Sequence, residues 1–141
     1  MYVIDDAELQ RVQDSYPVIW KNPDAKPKLC FIGCPHLSYA QLADWTEKIE
    51  AGLKASGLSK VAVKTVITTA PGVLKRCKES GYVDRLNACG VVVSYICPLM
   101  YMNNPLCGSV PTITCSNKLR TYTTARFYRE DQLLTIITGG K

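Results

Sequence analysis

Two rhythms of hydrophobic and polar positions alternate along this chain. Short apolar runs, rich in β-branched residues, fall at 28–32, 61–68, 90–96, 110–114 and 133–137. Runs of this length and composition predict strands covered on both faces. Between them the apolar positions recur with helical spacing. Leu42, Trp45, Ile49 and Leu53 mark an amphipathic helix over 38–55, with Ser38 placed to cap it and Gly57 to stop it. Asp5 or Asp6 can cap an earlier helix that runs to about Ser15, to which Ala7, Leu9 and Val12 give a partial apolar face. Pro71 suits the first turn of a helix ending near Ser80, and a short helix over 83–89 follows. Cys115-Ser116-Asn117-Lys118 opens another, through about Phe127. Residues 16–27 hold Pro17, Pro23 and Pro27 and read as an irregular connection, 99–108 as a loop or one helical turn, and 139–141 as a frayed tail.

Strands alternating with helices predict one domain over 1–141: a three-layer αβα fold with a mostly parallel sheet of four or five strands. In such a sheet all strand carboxyl ends lie on one edge, and ligands bind outside that edge. The expected ends carry Cys34 with His36, then Thr68 with Thr69, then Cys97, and finally Cys115 through Lys118. As turn residues these side chains need no further role; together they form a candidate site.

Charge narrows the choice of partner. The net charge of +5 is mild and its lysines and arginines are scattered, which gives nucleic-acid binding no support. No apolar run reaches the ~18 residues of a membrane span. The start, Met1-Tyr2-Val3-Ile4-Asp5-Asp6, has neither the basic nor the apolar region of a secretory signal, so a cytoplasmic protein is expected. Seven cysteines are many for 141 residues, but the count is odd and the spacing irregular, which argues against a disulfide framework. Cys30, Cys77 and Cys89 fall in predicted strand, helix and strand approach, and read as small buried hydrophobes. Cys34, Cys97, Cys107 and Cys115 fall in predicted loops, and two or three thiols on one rim suit a soft metal or an iron–sulfur cluster. Burial should raise the pKa of Cys30, whereas Cys34, near a helix amino terminus, should favour thiolate.

The segment Ile32-Gly33-Cys34-Pro35-His36-Leu37-Ser38, with Tyr39-Ala40-Gln41-Leu42 after it, resembles the "IGCPHLS" motif of the aconitase X family. Residues Val91 to Pro98 resemble its "vv-DTCPV" stretch, and Thr114-Cys115-Ser116-Asn117-Lys118 with Tyr122 its "TNSxKxxxY" segment. Order and spacing agree from Cys30 to about Phe127. The resemblance implies an aconitase-like subdomain, the carboxyl-terminal part of the family's large catalytic portion. Family members are hydro-lyases that dehydrate small hydroxy acids, including hydroxyproline isomers and a phosphorylated mevalonate, with cysteines holding an iron–sulfur cluster or metal. It further implies Cys34 and Cys97 as metal ligands; Cys115, on the same expected rim, is a candidate third, and Cys107 a poorer one. His36 and Ser116 would be catalytic, and Ser38, Thr68, Thr69 and Lys118 would bind substrate. The implied partners are the other half of the catalytic portion and a small swivelling subunit. The chain departs from the pattern where Ser94-Tyr95-Ile96 precedes Cys97 and where Cys115 replaces an amide residue. Those substitutions suit a second reading, a non-catalytic subunit or remnant whose rim docks a partner chain. A simple thiol-based metal-binding module is a third.

Overall fold

The structure is a computed structural model that describes residues 1–140. Its elements run α1 (Asp6–Asp14), β1 (Leu29–Leu37), α2 (Tyr39–Ser56), β2 (Lys64–Thr69), α3 (Pro71–Glu79), α4 (Tyr82–Ala88), β3 (Val91–Ser94), α5 (Pro98–Met102), α6 (Pro105–Gly108), β4 (Thr112–Thr114), α7 (Asn117–Tyr122), β5 (Arg126–Phe127) and α8 (Glu130–Ile137). The five strands form one sheet in the order β3-β2-β1-β4-β5, and every pairing is parallel. The chain builds outward from β1 to one side and then returns to the other. The carboxyl ends of β1 and β4 therefore flank a topological switch point, where open α/β sheets form their ligand crevice.

Alternation along the strands feeds two cores. Cys30, Ile32, Ile67, Val91 and Ile113 face a large core against α2, α3, α4 and α8. Leu29, Phe31 and Val66 face a smaller one with Met102 of α5 and Leu119 of α7. Helix α2 supplies Leu42, Trp45, Ile49 and Leu53, all buried, as its spacing predicts. Ser38 and Gln41 close a reciprocal capping box at its start, and Gly57, at φ +69°, ends it.

Several expectations are corrected. Residues 133–137 form helix α8, not a strand: Leu133 and Ile137, one turn apart, are its buried stripe. A short apolar run cannot be assigned by length alone, and here the fifth strand is the two-residue β5 instead. Helix α7 stops at Tyr122, because Thr123 is extended and its hydroxyl donates to the carbonyl of Leu119. Residues 99–108 hold parts of two short helices, α5 and α6, each opened by a proline. Helix α1 buries no residue. Gly139 and Gly140 are not frayed; their amides bond to Ile136 and Thr135 and close α8, while Lys141 lies outside the described residues.

The correction that matters for the site concerns β1, which does not stop at Ile32 but continues to Leu37 across a register shift. Gly33, at φ +110°, makes that shift possible. A Cβ there would lie 2.3 Å from the Thr68 carbonyl oxygen, and its backbone conformation excludes other residues as well. We predict that Gly33→Ala costs at least about 2 kcal/mol in urea unfolding, from strain plus clash. Gly72→Ala, in open space inside α3, should instead be neutral or stabilising by up to about 1 kcal/mol. Equal midpoints for the two variants would contradict this account of the shift.

Candidate functional site

Beyond Ile32 the regular ladder gives way, and buried hydroxyls on the neighbouring strands replace it. Thr114 Oγ1 donates to the Phe31 carbonyl at 2.8 Å, Thr68 Oγ1 to Gly33 at 2.7 Å, and Thr69 Oγ1 to Leu37 at 2.6 Å. Ser116 Oγ donates to the Cys34 carbonyl and accepts from the Leu119 amide at 3.0 Å, so one side chain both pins β1 and caps α7. The threonines are fully buried and Ser116 nearly so. Unpaired backbone carbonyls at this depth would be costly, which explains why hydroxyl residues cluster here. The Cys34–Pro35 peptide bond is cis.

The step at Gly33 also breaks the alternation. Cys34 would otherwise follow Cys30 and Ile32 into the larger core; instead it packs with Phe31 and Leu119 in the smaller one. There it lines a recess of about 360 Å³ with Gly33, Pro35, His36, Cys97, Pro98 and Lys118. Cys115 takes the other side, against the larger core, and lines a second recess of about 380 Å³ with Gln41, Asp44, Trp45 and Glu130. Gly33, Cys34, Pro35 and His36 line both recesses, and of these Pro35 and His36 are exposed.

The residues singled out by sequence thus divide. Cys34, His36, Cys97 and Lys118 share one recess. Cys115 lies across β1 from Cys97, and among the described residues no group of three or more His, Cys, Asp and Glu side chains is assembled for a metal. The hydroxyls of Thr68, Thr69 and Ser116 are engaged in holding β1, and that of Ser38 in capping α2. Lys118 is exposed on the first turn of α7. Sequence reasoning missed Thr114 as a fastener, and Gln41, Asp44 and Glu130 as lining of the second recess. A threonine closing a short buried strand next to a Gly-x-Pro tail was the available signal for the first.

Burial decides the state of the thiols. It pushes Cys30 well above the usual thiol pKa, and the neighbouring Cys115 adds to the effect. Cys115 is pushed up to about 12, by burial first and Glu130 second. Cys34 is raised too, contrary to expectation: desolvation outweighs the Ser116 hydroxyl and the Lys118 ammonium, both of which favour thiolate. Cys97 is half-exposed at the start of α5, and no helix amide donates to its side chain.

The family model of the aconitase X third domain matches residues 27–136. This chain belongs to the aconitase X family. Its fold is similar to that of Thermococcus kodakaraensis aconitase X (holo-form), with a TM-score of 0.73 and 19% sequence identity. The match covers 95% of this chain and 33% of that one, so the chain spans about a third of the length of its structural relative. No curated protein matches. The match contains the recesses on both sides of β1, so Cys34, Cys97 and Lys118 belong to the family unit rather than to an added segment. No helix of the described residues is long and apolar enough to cross a membrane.

Thiol reactivity follows from these environments. At pH 8 we expect iodoacetamide to label Cys97 at least about tenfold faster than Cys34 in the native protein, because thiolate fraction and access both favour it. Cys30 and Cys115 should be slower still. Raising the pH should speed Cys34 over a higher range than a free thiol, since its pKa is raised. Mass-spectrometric mapping checks the order, and labelling of Cys34 as fast as Cys97 would contradict it.

Proposed function

We propose that this chain is the third-domain part of an aconitase X-type hydro-lyase acting on a small hydroxy acid, such as a hydroxyproline isomer or a phosphorylated hydroxy acid. The observation that carries the reading is the recess in which Cys34, Cys97, His36 and Lys118 meet, at the switch point of a domain of this family. Eliminating water needs a base for the carbon-bound proton and help for the departing hydroxyl. An iron or iron–sulfur group with an open position supplies that help as a Lewis acid. Soft sulfur donors suit such a group: Cys34 lines one recess with Cys97 and the other with Cys115. Cys115 is the third candidate ligand. It sits on the same sheet edge but the opposite side of β1, so a complete set requires it to move or requires a donor from another domain.

Around the thiols, Lys118 attracts the carboxylate or phosphate of the substrate. His36, exposed between the two recesses, orients it. Ser116 is buried, both donating and accepting, and so acts through Cys34, whose backbone it fixes. Thr68, Thr69 and Ser38 support the same wall from behind. The base that removes the proton comes from the family's other domains, which with a swivelling subunit are the partners this reading requires. Seven free thiols suit a reducing compartment such as the cytoplasm.

Purification without oxygen, followed by iron and sulfide assay, tests the assignment. The protein should carry metal; Cys34→Ser and Cys97→Ser should each lower it at least about tenfold, since losing even an outer-shell partner costs that much. Cys30→Ser should retain it. The isolated chain should show little dehydratase turnover. Rapid turnover of a hydroxyproline isomer by these 141 residues, or metal that survives both substitutions, would overturn the reading.

A further inference from the structure

Two pairs of thiols share their surroundings, one pair against the larger core and one in a recess at the surface. Cys30 and Cys115 form one pair; Cys30 is fully buried beneath α2, and no reagent reaches it. Cys34 and Cys97 form the other, both lining the recess of about 360 Å³, and Cys34 also borders the recess that Cys115 lines. Cys97 is half-exposed and caps nothing, while Cys34 is 8% exposed behind it. Lys118 stands at the mouth as an exposed ammonium. No further His, Cys, Asp or Glu joins this pair in a metal-capable group among the described residues. One accessible and one sheltered thiol in a common cleft, with a cation beside them, is the arrangement that lets an outer thiol meet an oxidant and an inner one resolve it.

We infer that Cys34 and Cys97 are a redox pair. In the metal-free protein they close to an internal disulfide on meeting a small anionic disulfide of the glutathione class. The Cys97 thiolate attacks one sulfur of the oxidant, whose S–S bond breaks, and one small thiol leaves with a proton from solvent. Cys34 then gives its proton to solvent, and its sulfur attacks the Cys97 sulfur of the mixed disulfide. The second small thiol leaves, again taking a proton. The two cysteines together lose two electrons and two protons, and the oxidant gains both. Lys118, lining the same recess, draws in the oxidant's carboxylates. The consequence for metal, that closure removes both sulfurs, rests on the reading of Cys34 and Cys97 as ligands; formation of the bond does not.

Metal-free protein incubated with glutathione disulfide, trapped by alkylation without reduction and mapped by mass spectrometry tests the pair. Two of the seven thiols should disappear, and one cross-linked peptide should join Cys34 to Cys97. Cys34→Ser should stall with glutathione on Cys97, and Cys97→Ser should leave Cys34 unmodified. Dithiothreitol should restore all seven thiols. Zinc uptake should be at least about tenfold lower in the oxidised than in the reduced protein, because metal binds the thiolates. A cross-link between Cys30 and Cys115, or a wild-type protein that stops at the mixed disulfide, would overturn the inference. Zinc binding without a disulfide would refute the redox pair alone. A disulfide in a protein that takes up no zinc when reduced would uphold the pair and refute the metal reading alone.

Discussion

The site depends on one constraint: past the register shift in β1, the carbonyls of the buried residues Gly33, Cys34 and Leu37 need donors where the regular ladder is interrupted. Leaving such a group without a partner costs about 1–3 kcal/mol, so the neighbouring strands must answer each one. They do so with side chains. Thr68, Ser116 and Thr69 donate to Gly33, Cys34 and Leu37, and Thr114 adds a bond to Phe31 just before the shift. A segment that reads as a loop is thereby held as rigidly as the sheet. Because the donors come from β2 and from the β4–α7 junction, the tail is fixed relative to the elements that carry Lys118 and flank Cys97.

The Gly33 step gives this tail its chemical meaning. It reverses the side to which the strand presents its thiol, taking Cys34 out of the core that holds Cys30 and into the recess that Cys97 lines, while Cys34 still borders the recess of Cys115. The same burial that makes the placement exact keeps the thiol protonated, against the pull of Lys118 and Ser116. Membership of the aconitase X family and a free recess at the switch point fit this geometry together. A soft metal would have to displace the Cys34 proton on binding, and its uptake would accordingly fall as pH falls.

Much of the fold was legible in the chain, because β-branched runs and helical apolar spacing are strong local signals. The parallel sheet, α2 with its cap and stop, and the shared carboxyl edge all follow from them. The misassigned stretch, 133–137, is short enough to satisfy either period, and only its docking on α2 decides. At the site, the edge that gathers these residues was legible, and the hydrogen-bond partners of its hydroxyls were not. The family resemblance implied substrate contact for Thr68 and Thr69 and a catalytic role for Ser116, while the residue types alone suit turns and caps. Their actual partners are carbonyls of a strand more than thirty residues away, set by a register shift that no local pattern encodes. The sidedness of Cys34 against Cys115 is hidden for the same reason, since it turns on the positive φ of one glycine.

If hydroxyl side chains hold the tail, removing one donor without changing its shape should loosen the tail and little else. Hydrogen–deuterium exchange of Thr68→Val against wild type measures this directly. The account predicts that the amides of Gly33, Cys34, His36 and Leu37 exchange at least about tenfold faster in the variant, a loss of at least about 1.4 kcal/mol of local protection. Those of 29–32, in the regular part of β1, should keep their protection. Unchanged exchange across 33–37, or an equal increase throughout β1, would contradict the claim that these hydroxyls set the geometry of the site.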